Sequence, residues 1–65
     1  MNITVNAVPH NVTATILAEI LVELGYANPA TATALNGQFV PRTARDTVRV
    51  SDGDQLEILA PMQGG

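Results

Sequence analysis

From Asn2 to Val8 apolar and polar residues alternate, with Ile3, Val5 and Ala7 on one side and Asn2, Thr4 and Asn6 on the other, the two-residue period of a half-buried strand. Pro9, His10 and Asn11 read as a turn, and Val12-Thr13 as the start of a short return strand that makes a hairpin with the first. The period then changes. Ile16, Leu17, Ile20, Leu21 and Leu24 recur as one stripe of a helix running over Thr15 to Leu24. Thr15 or Thr13 is placed to cap its N-terminus, and Gly25 to end it in the left-handed conformation. Glu19 lies off the stripe, Glu23 at its margin, and Val22 faces away as a lone exposed apolar residue.

Tyr26 to Ala30 form a connection with Asn28-Pro29 as its turn. Ala32 to Leu35 and Phe39-Val40 then flank Asn36-Gly37, the strongest short signal for a tight hairpin, because both central residues of a type I′ turn need positive φ. Pro41 stops the second of these strands, Thr43 to Thr47 read as irregular, and Ser51-Asp52-Gly53-Asp54 as a turn. Leu56, Ile58 and Ala60 alternate with Glu57 and Leu59 in a last strand ended by Pro61. The order of elements is α+β, with a single helix available to cover one sheet face through Ile16, Ile20 and Leu24.

A two-residue turn at Asn36-Gly37 pairs Leu35 with Gln38, Ala34 with Phe39 and Thr33 with Val40. If Leu35 and Val40 join Leu56 and Ile58 under the helix, then Phe39, Ala34 and Leu59 form an apolar docking patch on the open face. The opposite register buries Phe39, the sole phenylalanine, in the core.

Sixty-five residues make one small domain, which buries only ~60% of the surface its unfolded chain exposes and leaves little room for an enclosed active site. At 46% hydrophobic and 14% charged, the chain is globular and not disordered. The net charge of −3 argues against electrostatic binding to nucleic acid and suits a basic protein partner. No basic n-region or long apolar run marks a signal peptide or membrane span, so the expected location is cytoplasmic. Without cysteine there is no disulfide, thiolate metal site or side-chain thiol for an acyl or sulfur cargo. Without lysine the chain cannot be modified on a lysine side chain.

These exclusions leave the end of the sequence, Pro61-Met62-Gln63-Gly64-Gly65. At ~7% glycine per position, a terminal pair arises by chance in roughly one chain in 200. Glycine lacks a Cβ, so Gly64-Gly65 presents an unhindered carboxylate to a narrow active site. That carboxylate is ionised at neutral pH and is a poor electrophile, so a partner must activate it. The bland alternative is an ordinary frayed terminus or a linker scar.

The element order, the Ala-Leu-Asn-Gly-Gln-Phe-Val-Pro-Arg run at 34 to 42, the Asp-Gly-Asp-Gln-Leu-Glu-Ile run at 52 to 58 and the Pro-Met-Gln-Gly-Gly ending together resemble the thiamine-pathway sulfur carrier family, ThiS. The resemblance implies a ubiquitin-like β-grasp: a mixed sheet of four to five strands on one main helix over residues 1 to 61, with 62 to 65 as a flexible tail. It further implies that Gly65 is adenylated by a ThiF-like enzyme and converted to a thiocarboxylate with sulfur from a cysteine desulfurase route. The thiocarboxylate would then deliver its sulfur to a ThiG-like thiazole synthase. Met62, Gln63 and Gly64 would be the tail that carries it. ATP and magnesium would belong to the activating enzyme, since this chain has no phosphate-binding glycine loop or carboxylate cluster to hold them.

Other candidates are weaker. His10 reads as surface polar, Asp52 and Asp54 as turn formers, and no Ser/His/Asp set is present, so the chain is expected to be a co-substrate and not an enzyme. Arg42 and Arg45 meet either an acidic site on a partner or Asp46 and solvent. Competing functions are a carrier for molybdopterin synthesis, a ubiquitin-like protein modifier joined through Gly65, and a plain interaction module.

Overall fold

The computed structural model describes residues 1–28 and 30–60. Strand β1, Asn2–Val5, and strand β2, Val8–Asn11, form an antiparallel hairpin in which Val5 pairs with Val8 and Ile3 with His10. The turn between them is Asn6-Ala7, with φ of 51° and 70°, the positive values a type I′ turn needs. Alternation alone carries β1 through this turn and puts the reversal at Pro9-His10-Asn11; the structure corrects both points. The alternation stays in phase through Ala7, and alanine is a poor signal for positive φ. Pro9 is tolerated because β2 is an edge strand. Counting from the two-residue turn, Thr4 and Pro9 form a non-hydrogen-bonded pair, so the missing N–H lies on the outer edge and costs no ladder bond.

Helix α1 spans Leu17–Leu24, two residues shorter at its start than expected, and no side chain caps it. Its first donors are met by backbone instead: the Leu17 N–H donates to the Val48 carbonyl at 2.9 Å and the Ala18 N–H to that of Arg45 at 2.9 Å. An isolated bridge between Ile16 and Arg49 and a bond from the Val50 N–H to the Thr15 carbonyl tie the same segments together. At the other end Gly25 takes φ of 87°, and bonds from Gly25 to Val22 and from Tyr26 to Leu21 complete a Schellman closure, as the glycine predicts.

Strands β3, Ala32–Leu35, and β4, Gln38–Val40, carry the expected register around Asn36-Gly37. One 3-10 turn at Arg42–Ala44 follows, and then β5, Gln55–Leu59. The sheet order is β2-β1-β5-β3-β4, with β5 central, parallel to β1 and antiparallel to β3. Ile3, Val5, Leu56, Ile58 and Val40 on one sheet face meet Leu17, Ile20 and Leu21 of α1, with Val12 and Val50 closing the sides. The centre of the helix stripe is therefore Leu17/Ile20/Leu21; Ile16 and Leu24 are only half-buried at its margins. Ala60, which the alternation groups with the inward residues, lies past the strand and is exposed. Each fully buried aliphatic side chain here contributes roughly 1.5–3 kcal/mol.

Candidate functional site

Pro61, Met62, Gln63, Gly64 and Gly65 lie outside the described residues, as does Pro29. What the structure describes is the root of the tail and the surface around it. The carbonyls of Asp54, just before β5, and of Leu56, within it, accept bonds from the N–H groups of Thr4 on β1 and Asn6 just after it, which make the parallel pairing of the two strands. β1 turns away after Val5, and the next pair on that side is made by a side chain. The Asn6 Nδ2 donates to the Ile58 carbonyl at 3.0 Å, and the Ile58 N–H donates to Asn6 Oδ1 at 2.8 Å. On the opposite side Leu59 pairs with Ala32. The root is thus held at Ile58 by the Asn6 side chain on one side and by β3 as far as Leu59, the last residue of β5, on the other.

The other end of β5 is held in the same way. The Asn36 N–H donates to the Gln55 carbonyl at 2.8 Å, the Gln55 N–H to Asn36 Oδ1 at 2.9 Å, and Asn36 Nδ2 to Asp54 Oδ1 at 3.1 Å. Both asparagines open type I′ turns, and at φ of 51° each can turn its amide back onto β5. The Asp52-Gly53-Asp54 turn is closed by Asp54 Oδ2, which accepts the Ser51 N–H at 2.8 Å, and is tied to the start of β1 by Asp52 Oδ1, which accepts the Asn2 N–H at 2.6 Å. The two aspartates are turn formers.

The sheet face away from α1 carries Phe39, 68% exposed, and Leu59, 75% exposed. Ala34 lies between Phe39 and Glu57 in the pairing, and Ala32 opposite Leu59. These residues and Asn6 line one shallow groove beside the tail root. Phe39, Ala34 and Leu59 therefore come together on the open face, and the register that buries Phe39 is not adopted. Arg42 does not join them: it is exposed and lines a separate groove on the helix side with Val22, Tyr26 and Asp46.

Arg45 is only 7% exposed and is part of the fold. Its Nε donates to Thr33 Oγ1 at 3.3 Å, and its Nη2 donates to the Thr31 carbonyl. Neither this nor the Asn6 clamp is legible in the sequence. A buried arginine has no local signature, and Asn6 falls among the polar positions of an apparent strand. His10 is exposed on edge strand β2. Among the described residues no cluster of His, Cys, Asp or Glu could hold a metal ion, and no helix is long and apolar enough to cross a membrane. The site offers an apolar, open face beside a firmly held last strand.

A five-stranded mixed sheet in this order on one helix defines a ubiquitin-like β-grasp domain. The ThiS family model matches residues 3–65, and the chain belongs to that family. The crystal structure of the thiamine biosynthesis protein (ThiS) from Geobacter metallireducens is similar, with 38% identity and a TM-score of 0.81 over the whole of both chains. An NMR solution structure of a thiamine biosynthesis protein from the same organism gives 38% identity and a TM-score of 0.83, covering all of this chain and 88% of that one. A thiazole synthase of Paramagnetospirillum magneticum (strain ATCC 700264 / AMB-1) is 36% identical over 66 residues. That match takes in all of this chain, which spans only 20% of that protein's length.

Proposed function

We propose that this chain is a sulfur carrier for thiamine biosynthesis, a co-substrate consumed and regenerated by enzymes and not itself one. The observation that carries the reading is that the family match runs through Gly65 and so includes the Gly-Gly end. In this scheme a ThiF-like enzyme, holding ATP and magnesium, joins the Gly65 carboxylate to AMP and releases pyrophosphate. The mixed anhydride is electrophilic where the carboxylate was not. The terminal sulfur of a persulfide from a cysteine desulfurase route displaces AMP to give an acyl disulfide, and a thiol reductant cleaves its S–S bond to leave a thiocarboxylate. That nucleophile is passed to a thiazole synthase for ring formation. The absence of cysteine and lysine supports the assignment of the chemistry to Gly65. The similarity of the whole chain to a fifth of a protein called thiazole synthase supports that enzyme as the partner.

Docking is assigned to the exposed face of Phe39, Leu59 and Ala34, which lies beside the root of the tail. A few well-packed residues carry most of the energy of an interface, and the aromatic ring of Phe39 is the candidate for that part here. Arg42, on the other groove, would serve only a partner that also reaches the helix side.

The test is intact-mass analysis of the chain ending in Gly65 after incubation with ATP, the adenylating enzyme and a sulfur donor. Exchange of one oxygen for sulfur at Gly65, followed by thiazole formation with the synthase, is the expected result. Covalent adducts with other proteins would mark a modifier, and sulfur transfer only to molybdopterin synthase would mark the other carrier class. Deleting Gly65 should abolish transfer while leaving the unfolding midpoint unchanged; thiazole formation by the truncated chain would overturn the proposal.

A further inference from the structure

The Ile58 clamp made by Asn6 has a role beyond closing its own turn. A type I′ turn needs only a residue that accepts positive φ at this position, and glycine meets that need. The amide of Asn6 does something a glycine could not, since it supplies both a donor and an acceptor to Ile58 where β1 has already left the sheet. The side chain acts as one more peptide unit of β1. Its twin, Asn36, holds the opposite end of the same strand, but only Asn6 sits at the end from which residues 61–65 continue. Asn6 also lines the groove with Phe39 and Leu59, so the clamp and the proposed docking face share an edge.

We propose that Asn6 is a positioning residue for carboxylate transfer: it fixes the end of β5 relative to the open face, and with it the point from which the reacting end is presented to a partner. This inference rests on the carrier reading above. The physical reason is that an origin that moves relative to the docked face lowers the fraction of encounters in which the reacting end is in place. Freeing Ile58 on the β1 side lets the root swing about its one remaining ladder, with β3, and reacting groups misplaced by about 1 Å lose up to about a hundredfold in rate. Docking through Phe39 and Leu59 would persist, so the loss falls on kcat and not on KM.

The experiment compares Asn6→Gly, Asn6→Asp and the parent in ATP–pyrophosphate exchange with the adenylating enzyme and in amide hydrogen exchange of the free protein. Asn6→Gly keeps the turn and removes the clamp, so a loss of fold does not confuse the result. Asn6→Asp keeps the acceptor for the Ile58 N–H and loses the donor to its carbonyl. In Asn6→Gly the Ile58 amide should exchange about tenfold faster, the equivalent of one lost hydrogen bond, while those of Ile20 and Leu21 are unchanged. Its kcat should fall about tenfold or more with KM within about twofold, and Asn6→Asp should recover part of the loss. An unchanged kcat in Asn6→Gly, or a change confined to KM, would overturn the inference. A parent protein that supports no exchange at all would instead overturn the carrier reading itself.

Discussion

Two polar side chains hold the fold together in ways that their residue types alone do not announce. Arg45 buries a guanidinium against neutral partners, the Thr31 carbonyl and the Thr33 hydroxyl, which joins the start of β3 to the segment after β4. Its aliphatic stem packs where a charge is costly to desolvate. Arg45→Ala should therefore lower stability by about 2 kcal/mol, while Arg45→Met, which keeps the stem and removes the charge, should cost about half of that in urea denaturation. Equal losses in the two variants would show that the hydrogen bonds dominate and packing does not.

Glu23 works at the other side of the helix, where its carboxylate accepts the Ala14 N–H at 3.0 Å, the Thr13 N–H at 3.0 Å and the Thr13 hydroxyl at 3.1 Å. These bonds favour the charged form, that from Ala14 most and then that from Thr13, and hold the carboxyl below the usual glutamate range. A folded-state pKa below the unfolded one gives stability that is present above the unfolded value and lost as pH falls through the folded value. The stability gap between the parent and Glu23→Gln should therefore be widest near neutrality and close progressively below about pH 4.3. Parallel stability curves between neutral and strongly acidic pH would count against this role.

At the scale of elements, the two hairpins are the same device built from different residues. Gly37 sits at φ of 83°, and a methyl group added there would meet no atom within 4 Å, so Gly37→Ala suffers backbone strain alone. That strain should cost about 1–2 kcal/mol. Ala7 already bears it at φ of 70°. Ala7→Gly should relieve about 1 kcal/mol and return roughly half through the entropy of the unfolded chain, a net gain of about 0.5 kcal/mol in chemical denaturation. A destabilised Ala7→Gly variant would mean that the methyl makes a contact of more value than the strain.

This contrast also explains what is legible in the sequence. Asn36-Gly37 declares its turn, its register and hence which face Phe39 occupies, because glycine at positive φ is a local cause. Asn6-Ala7 does not, since Ala7 continues the strand's alternation and Pro9 looks like the breaker. The start of α1 is misplaced for a related reason: its N–H groups are met by the carbonyls of Arg45 and Val48, far along the chain, and not by Thr13 or Thr15. Gly25, whose effect is local, marks the other end of the helix correctly. The open apolar patch follows from the register, while the roles of Asn6 and Arg45 depend on contacts that only the folded chain brings together.

For the whole molecule, the sheet divides the chain into a face committed to folding and a face that folding does not need. Leu56, at 1% exposure, and Phe39, at 68%, are separated by β3 and lie on opposite sides of the sheet. Leu56→Ala removes buried methyl groups and should cost about 2–5 kcal/mol, enough to threaten a domain this small. Phe39→Thr keeps a strand-forming residue at the same position and removes only exposed surface, so stability should change by no more than about 0.5 kcal/mol. If the open face is where the adenylating enzyme and the synthase dock, the same substitution should raise KM for the carrier about tenfold or more, the loss expected from removing an aromatic anchor. The two readouts together separate folding from recognition, because a domain weakened in its core loses both while one weakened on its open face loses only the second. An unchanged KM with intact stability would remove Phe39 from the interface and shift attention to the groove of Val22, Tyr26 and Arg42 on the helix side.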